Sequence, residues 1–152
     1  MIQEGELLTL DFGARVNGYI SDMTRTIGFG KIGPELRELY ERVKVAQQMA
    51  LDAIKPGMRC SDVDKVARDY LDARYPGAFG HSLGHGVGLQ VHEQPRLSPA
   101  AGDQILAPGH AVTVEPGVYI PGLGGCRIED TVIVTEDGCI NTMTATKELV
   151  EL

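Results

Sequence analysis

His81-Ser82-Leu83-Gly84-His85-Gly86-Val87-Gly88-Leu89-Gln90-Val91-His92-Glu93-Gln94-Pro95 holds three of the four histidines of the chain. Glycines interleave them, stripping side-chain bulk from the backbone so that another group can come close. Imidazole is the commonest metal ligand, so the stretch raises the question of where completing carboxylates lie. They lie on both sides, with Asp11 and Asp22 before it and Glu115 and Glu129 after it.

On the N-terminal side, Glu6 to Phe12 alternates as a strand, with Leu8, Leu10 and Phe12 on one face and Thr9 and Asp11 on the other. A second strand is expected from about Tyr19 to Thr26. Asn17-Gly18 between them is a strong hairpin signal. With those two as loop residues, Val16 faces Tyr19, Gly13 faces Asp22 and Asp11 faces Thr24. Asp11 and Asp22 then share a face on a diagonal of roughly 7–8 Å, from which two carboxylates can converge on metal ions roughly 3.5–4 Å apart. A fold that starts at once with a core strand has no lead-in, so it is expected to begin before Met1.

Between hairpin and histidines the period turns helical. Leu36, Leu39, Tyr40, Val43, Ala46, Ala50, Ala53 and Ile54 predict a helix from Pro34 to Ile54, stopped by Lys55-Pro56-Gly57. Val63, Val66, Ala67, Tyr70 and Leu71 predict a second, with Ser61 as N-cap and Tyr75-Pro76-Gly77 as stop. Both read as cover for a sheet, and their charged residues as solvated faces without chemistry. Beyond the histidines, Gln94 to Gly109 reads as a loop, Ala111 to Glu115 as a strand, and Cys126 to Val134 as a long β segment turned by Glu136-Asp137-Gly138. In that segment Arg127 and Glu129 point the same way. Cys126 and Asp130 point the other way, toward packing and surface pairing. His110 reads as a surface turn residue.

Composition narrows the partners. The 152 residues, 43% hydrophobic, suffice for one domain with a core. With 21 acidic against 14 basic residues and a formal charge of −7, the chain repels phosphate backbones and anionic lipid, so neither nucleic acid nor membrane is expected. No signal peptide or transmembrane run is visible. Cys60, Cys126 and Cys139 form no CxxC pair and suit a reducing compartment, so a cytoplasmic location is expected.

Asp11, Asp22, His85, Glu115 and Glu129 thus make five candidate ligands, four hard carboxylates and one imidazole. Such a set favours paired divalent ions such as Mn, Co, Fe or Zn over a structural zinc. Ion pairs of this kind serve hydrolysis, lowering the pKa of a bridging water and polarising the scissile carbonyl.

The order of Asp11 and Asp22 on a hairpin, His81-Ser-Leu-Gly-His85-Gly, Val91-His92-Glu93, Thr113-Val114-Glu115-Pro116-Gly117 and Arg127-Ile128-Glu129-Asp130 resembles that of the pita-bread (M24) metallopeptidases. The similarity runs over nearly the whole chain and is greatest to the Xaa-Pro peptidase branch, aminopeptidase P and prolidase. It implies an α+β fold, a curved and mostly antiparallel sheet covered by helices. It implies two divalent ions, with Asp11 a ligand, Asp22 and Glu129 bridging, and His85 and Glu115 on the second ion. Glu115 would also take the proton of the bridging water. His81 and His92 would line the substrate cleft, where a donor can stabilise an oxyanion, and Arg127 would orient Glu129 or contact substrate.

The implied activity is hydrolysis of the Xaa-Pro bond at the N-terminus of peptides or in dipeptides, by a metal-bridging hydroxide. Family catalytic domains are longer, so residues 1–152 would be a C-terminal catalytic domain with an incomplete first half, lacking a further cleft histidine. Self-association or a separate N-terminal segment would cover the edges left bare. The rival readings are a methionine aminopeptidase-type activity, which His92-Glu93-Gln94-Pro95 also resembles, and an inactive module that binds only metal, peptide or a protein partner. Val118-Tyr119-Ile120 and Arg127-Ile128-Glu129-Asp130 fit the proline branch better.

Overall fold

Asn17 and Gly18 adopt the left-handed φ angles of 50° and 91° that a tight hairpin turn demands. In the computed structural model, which describes residues 1–152, Val16 pairs with Tyr19 and Asp11 with Thr24, the register expected from the turn. The ladder is not continuous. It comprises β1 (Glu6–Phe12), β2 (Arg15–Val16), β3 (Tyr19–Ile20) and β4 (Met23–Phe29). The expected Tyr19–Thr26 strand is thus broken at Ser21-Asp22, opposite Gly13, where a Cβ would collide with the Ser21 carbonyl. Asp22 sits in that break, released from the pleat.

β1 also departs from expectation. It pairs only with β4, and Leu10 and Phe12 on its apolar face are 38% and 54% exposed. It is an edge strand with an uncovered face rather than a core strand.

Helix α1 (Pro34–Ala53) buries Leu36, Leu39, Tyr40, Val43, Ala46 and Ala50 along the stripe the sequence predicts. Helix α2 (Cys60–Asp72) starts before Ser61, which is therefore not its N-cap. Arg59 occupies the cap position without a side-chain bond. The start is fixed from outside, because the Cys60 N–H donates to the Gln104 carbonyl and Arg59 bridges to Ile105.

The rest of the chain supplies β5 (Gly84–Gly86), β6 (Glu93–Leu97), β7 (Ala111–Val114), β8 (Gly117–Ile120), β9 (Gly124–Arg127), β10 (Asp130–Val134) and β11 (Cys139–Asn141). Five of them form an antiparallel sheet in the order β11-β10-β7-β5-β6, and β8 pairs with β9. The stretch expected as loop from Gln94 thus opens with a strand. Pro95 is tolerated there because β6 lies at the sheet edge. The long segment Cys126–Val134 breaks at Ile128-Glu129, which re-aims Glu129. The histidine stretch puts His85 on β5, inside the sheet. Gly84 and Gly86 flank it because side chains there would strike the carbonyls of Thr113 and Gln94. The helices cover this framework over one core of 23 buried residues, among them Leu39, Val43, Val63, Val112, Val118 and Ile128. No helix is long and apolar enough to cross a membrane.

Two sets of charges expected at the surface are turned inward. Asp130 does lie on the face opposite Arg127 and Glu129, but that face is core: Asp130 is fully buried. It accepts from Arg25 at 2.7 Å, Gln47 at 2.9 Å, Asn141 at 2.7 Å and Lys147 at 3.0 Å. Burial alone would raise its pKa, but these donors hold it below the usual carboxylate value. Arg25 also donates to the carbonyls of Thr24, Glu129, Ala145 and Thr146, tying β4, β10 and the C-terminal tail together. Asp64 and Arg68 of α2, expected in a solvated face, likewise bond inward.

Replacing one partner of a buried pair strands the other charge, at about 3–5 kcal/mol. Asp130→Asn is therefore expected to lower stability by about that amount in urea unfolding, whereas Glu38→Gln, in the exposed Glu38–Arg42–Arg74 cluster, is expected to leave the urea midpoint nearly unchanged.

Candidate metal centre

Four of the five candidate ligands meet where the hairpin break, β5, β7 and the β9–β10 junction converge. Asp22, His85 and Glu129 each present a ligand atom within 4.8 Å of the other two. Glu115, one residue past β7, stands with Oε1 3.2 Å from His85 Nε2, and Asp22 Oδ2 is 3.7 Å from the same nitrogen. The fifth, Asp11, is not turned into this group. Its carboxylate lies half-exposed and pairs with the Arg127 guanidinium.

Three of the four inward ligands, His85, Glu129 and Glu115, are oriented by a neighbour's hydrogen bond. His85 Nδ1 lies 3.0 Å from the Gly86 carbonyl, which can only accept. Nδ1 therefore carries a proton, and Nε2 faces the carboxylates, a donor to Glu115 Oε1 while protonated and a lone pair for a cation once that proton leaves. The Thr24 hydroxyl, fully buried, donates to Glu129 Oε2 at 2.6 Å. The Thr113 hydroxyl donates to Glu115 Oε1 at 3.1 Å and accepts the His85 N–H at 3.0 Å.

The remaining oxygen, Glu129 Oε1, is buried without a hydrogen-bond partner. Burial, followed by repulsion from Glu115, pushes the Glu129 carboxyl up to about 8, against the bond from Thr24. Burial also raises Asp22, with Asp11 and Glu115 adding to it and His85 opposing. Burial would lower His85, but the Glu115 hydrogen bond, the Gly86 carbonyl and the charges of Glu115 and Asp22 outweigh it and hold His85 above its ordinary value. An orphaned carboxylate oxygen, crowded acids and an imidazole nitrogen aimed among them fit a divalent cation, which supplies positive charge in place of the ring proton.

The cluster opens on a cavity of about 250 Å³ lined by His81, His85, His92, Arg96, Glu115 and Arg127, with no apolar side chain in its wall. His92 is exposed and stacks edge-on against His85 at 4.4 Å. His81 Nδ1 is held by the Ser82 carbonyl at 2.8 Å, leaving Nε2 to accept from the Tyr119 hydroxyl at 3.3 Å. Arg127 donates to the Tyr119 oxygen at 2.9 Å and to Thr24 Oγ1 at 3.3 Å, and stands 3.9 Å from Glu115. Arg127 thus reaches Glu129 through Thr24 rather than directly.

His110 caps its own turn, accepting the Ala107 N–H, and takes no part. Sequence reasoning missed Tyr119 and Arg96. Tyr119 stands four residues beyond Glu115 on the next strand, a spacing that carries no signal alone. Arg96 sits on β6, in the stretch read as loop.

Asp22, His85, Glu115 and Glu129 on this antiparallel framework make the donor set of a divalent-metal centre. Residues 1–136 match the model of metallopeptidase family M24, and the chain belongs to that family. A Xaa-Pro dipeptidase of Pyrococcus furiosus is 47% identical over 149 residues, covering 97% of this chain. The solved structure of a Xaa-Pro dipeptidase from Bacillus anthracis superposes with a TM-score of 0.96 at 48% identity over 99% of this chain. An X-Pro aminopeptidase from Thermotoga maritima superposes with a TM-score of 0.94 at 38% identity, also over 99%. The fold is therefore the pita-bread fold. The chain spans about 42% of the length of the first two of these proteins and 43% of the third.

The metal-free chain has a calculable pH response. Folded Glu129 keeps its proton up to about pH 8, whereas the unfolded side chain loses it near its usual 4.5. Between those values the folded state binds more protons, so stability falls as pH rises. His85 acts in the same sense, since stability from its raised pKa is lost as pH climbs through the folded value. The urea midpoint of metal-free protein is expected to fall from about pH 5 to about pH 8, and Glu129→Gln to flatten that slope.

Proposed function

We propose that this chain carries the catalytic centre of a cytoplasmic peptidase that hydrolyses the Xaa-Pro bond, in dipeptides in preference to longer peptides. It would use two divalent ions, Mn foremost and Co, Zn or Fe as substitutes. The observation that carries this reading is the Asp22–His85–Glu129 group with Glu115 beside it, open to a polar cavity. The names of the relatives support the substrate class, and three unpaired cysteines support a reducing compartment.

Asp11, Asp22, His85, Glu115 and Glu129 would hold the ions. When bound, such a pair supplies Lewis acidity and a water of lowered pKa. The chain's own groups do the rest. Glu115, steadied by Thr113 and largely shielded, is placed to take a proton at Oε2 from an attacking water. His92 and His81 flank the position of a peptide carbonyl. His81 Nε2, an acceptor toward Tyr119, becomes a donor only when the imidazole is doubly protonated. Arg127 holds Asp11 and braces Tyr119.

Arg96 supports the preference for dipeptides. It is exposed on the cavity wall, and its guanidinium forms no ion pair. A free C-terminal carboxylate of a short substrate would satisfy it, whereas a longer peptide continues past that point uncharged.

Glu115→Gln is expected to lower kcat by about 10²–10⁴-fold on Ala-Pro while ions are still bound. Arg96→Ala is expected to raise KM for Ala-Pro by about 10-fold or more, the worth of one charged hydrogen bond, and to leave KM for the amide-capped dipeptide unchanged. Equal effects on both substrates would remove the carboxylate role of Arg96. Metal-loaded protein that binds Ala-Pro without cleaving it would replace the enzyme with a binding module.

A further inference from the structure

The ion pair of α2 lies outside the metal centre, yet four of its contacts converge on the segment that delivers His81. Arg68 grips Asp64 one turn earlier with two bonds, Nε to Oδ2 at 2.7 Å and Nη2 to Oδ1 at 2.9 Å. The same guanidinium donates to the carbonyl of Phe79 at 2.6 Å and of His81 at 2.8 Å. Asp64 Oδ1 accepts the Leu83 N–H at 3.0 Å. The guanidinium also lies 4.2 Å from the centroid of the Phe79 ring, which meets the His81 ring edge-on at 5.0 Å.

We infer that the Asp64–Arg68 pair is a positioning device for His81, fixing where its imidazole stands in the cavity. Residues 78–83 form neither helix nor strand, so no ladder sets their path. Two carbonyls and one N–H of this segment are instead held by one turn of α2. The His81 ring is locked to its own backbone by the bond from Nδ1 to the Ser82 carbonyl. Pinning His81 on one side of that peptide and Leu83 on the other therefore pins the ring, and Phe79 supports it from a third direction.

A plain helix-to-loop staple needs less than this. Asp64 is 1% exposed, and a buried carboxylate is costly unless its geometry is met by bonds such as these. The planar fork of arginine can reach Asp64 and two carbonyls at once; the single ammonium of lysine cannot reproduce that geometry. Leu83 carries a second link, since its carbonyl accepts the Glu115 N–H at 2.7 Å. An effect of the pair could therefore travel to Glu115 instead, and the experiment separates the two routes.

The inference rests on the reading of His81 as a cleft residue for its consequence in turnover, but not for the position of the ring. Arg68→Lys keeps the charge pair with Asp64 and gives up the fork. In imidazole-resolved NMR of the zinc-loaded protein, with the His81 signals assigned by His81→Gln, R68K is expected to displace and broaden the His81 ring signals. Those of His110 should stay in place. On Ala-Pro with Mn, kcat is expected to fall about tenfold, as a misplaced group would cause, with KM changed by less than about twofold. In the H81Q background R68K should then cost nothing further.

His81 signals unmoved in folded R68K would overturn the inference. A full R68K loss in the H81Q background would overturn it too, assigning the effect to Glu115. If H81Q alone turns over at the parental rate, the cleft role of His81 fails, while displaced His81 signals in R68K still uphold the pair as its positioning device. Should R68K not fold, Asp64→Asn, which keeps an oxygen for the Leu83 N–H, serves with the same outcomes.

Discussion

Mutual repulsion among Asp22, Glu115 and Glu129, gathered around one imidazole, is the constraint the rest of the structure answers. Left to themselves, three carboxylates in a half-buried cleft would separate or take up protons. Here none can turn away. Thr24 and Thr113 hold two of them by hydroxyl bonds, and the hairpin break delivers the third. Glu129 shows the effect: its Oε1 has no hydrogen-bond partner, and burial with the charge of Glu115 pushes its carboxyl well above the ordinary value.

Around this centre the framework works as a set of clamps. Arg25 and Asp130 fix the backbone at Glu129 from behind, through the core and the C-terminal tail. Arg127 braces the front, spanning Asp11, Thr24 and Tyr119. The Asp64–Arg68 pair holds the cavity wall at His81. In each case a guanidinium bonds several oxygens at once, a task suited to its planar fork.

Much of this was legible in the sequence. Asn17-Gly18 set the hairpin register, because only one pairing follows from a two-residue turn. The apolar periods of α1 and α2 named most of the buried face, and the ordered motifs named Asp22, His85, Glu115 and Glu129, which the fold brings together. What was not legible depended on tertiary neighbours. Strand parity put Asp130 opposite Glu129, but could not say that this face is the core. The start of α2 is set by Gln104 and Ile105, some forty-five residues on, so Ser61 misled. Leu10 and Phe12 alternate as core residues do, and their exposure appears only once β1 is seen to pair with β4 alone. Asp64 and Arg68 are legible as a pair one helical turn apart, but their hold on Phe79, His81 and Leu83 is not, and Arg96 and Tyr119 gain their place only from the fold.

The most direct test of the metal centre is the number of ions bound per chain, measured by elemental analysis after equilibration with Mn and removal of free metal, on the parent and on Asp22→Asn/Glu129→Gln. The expected result is two ions per parental chain and fewer than one in the double variant. Equal, substoichiometric metal in both proteins would contradict a metal centre built on Asp22, His85 and Glu129.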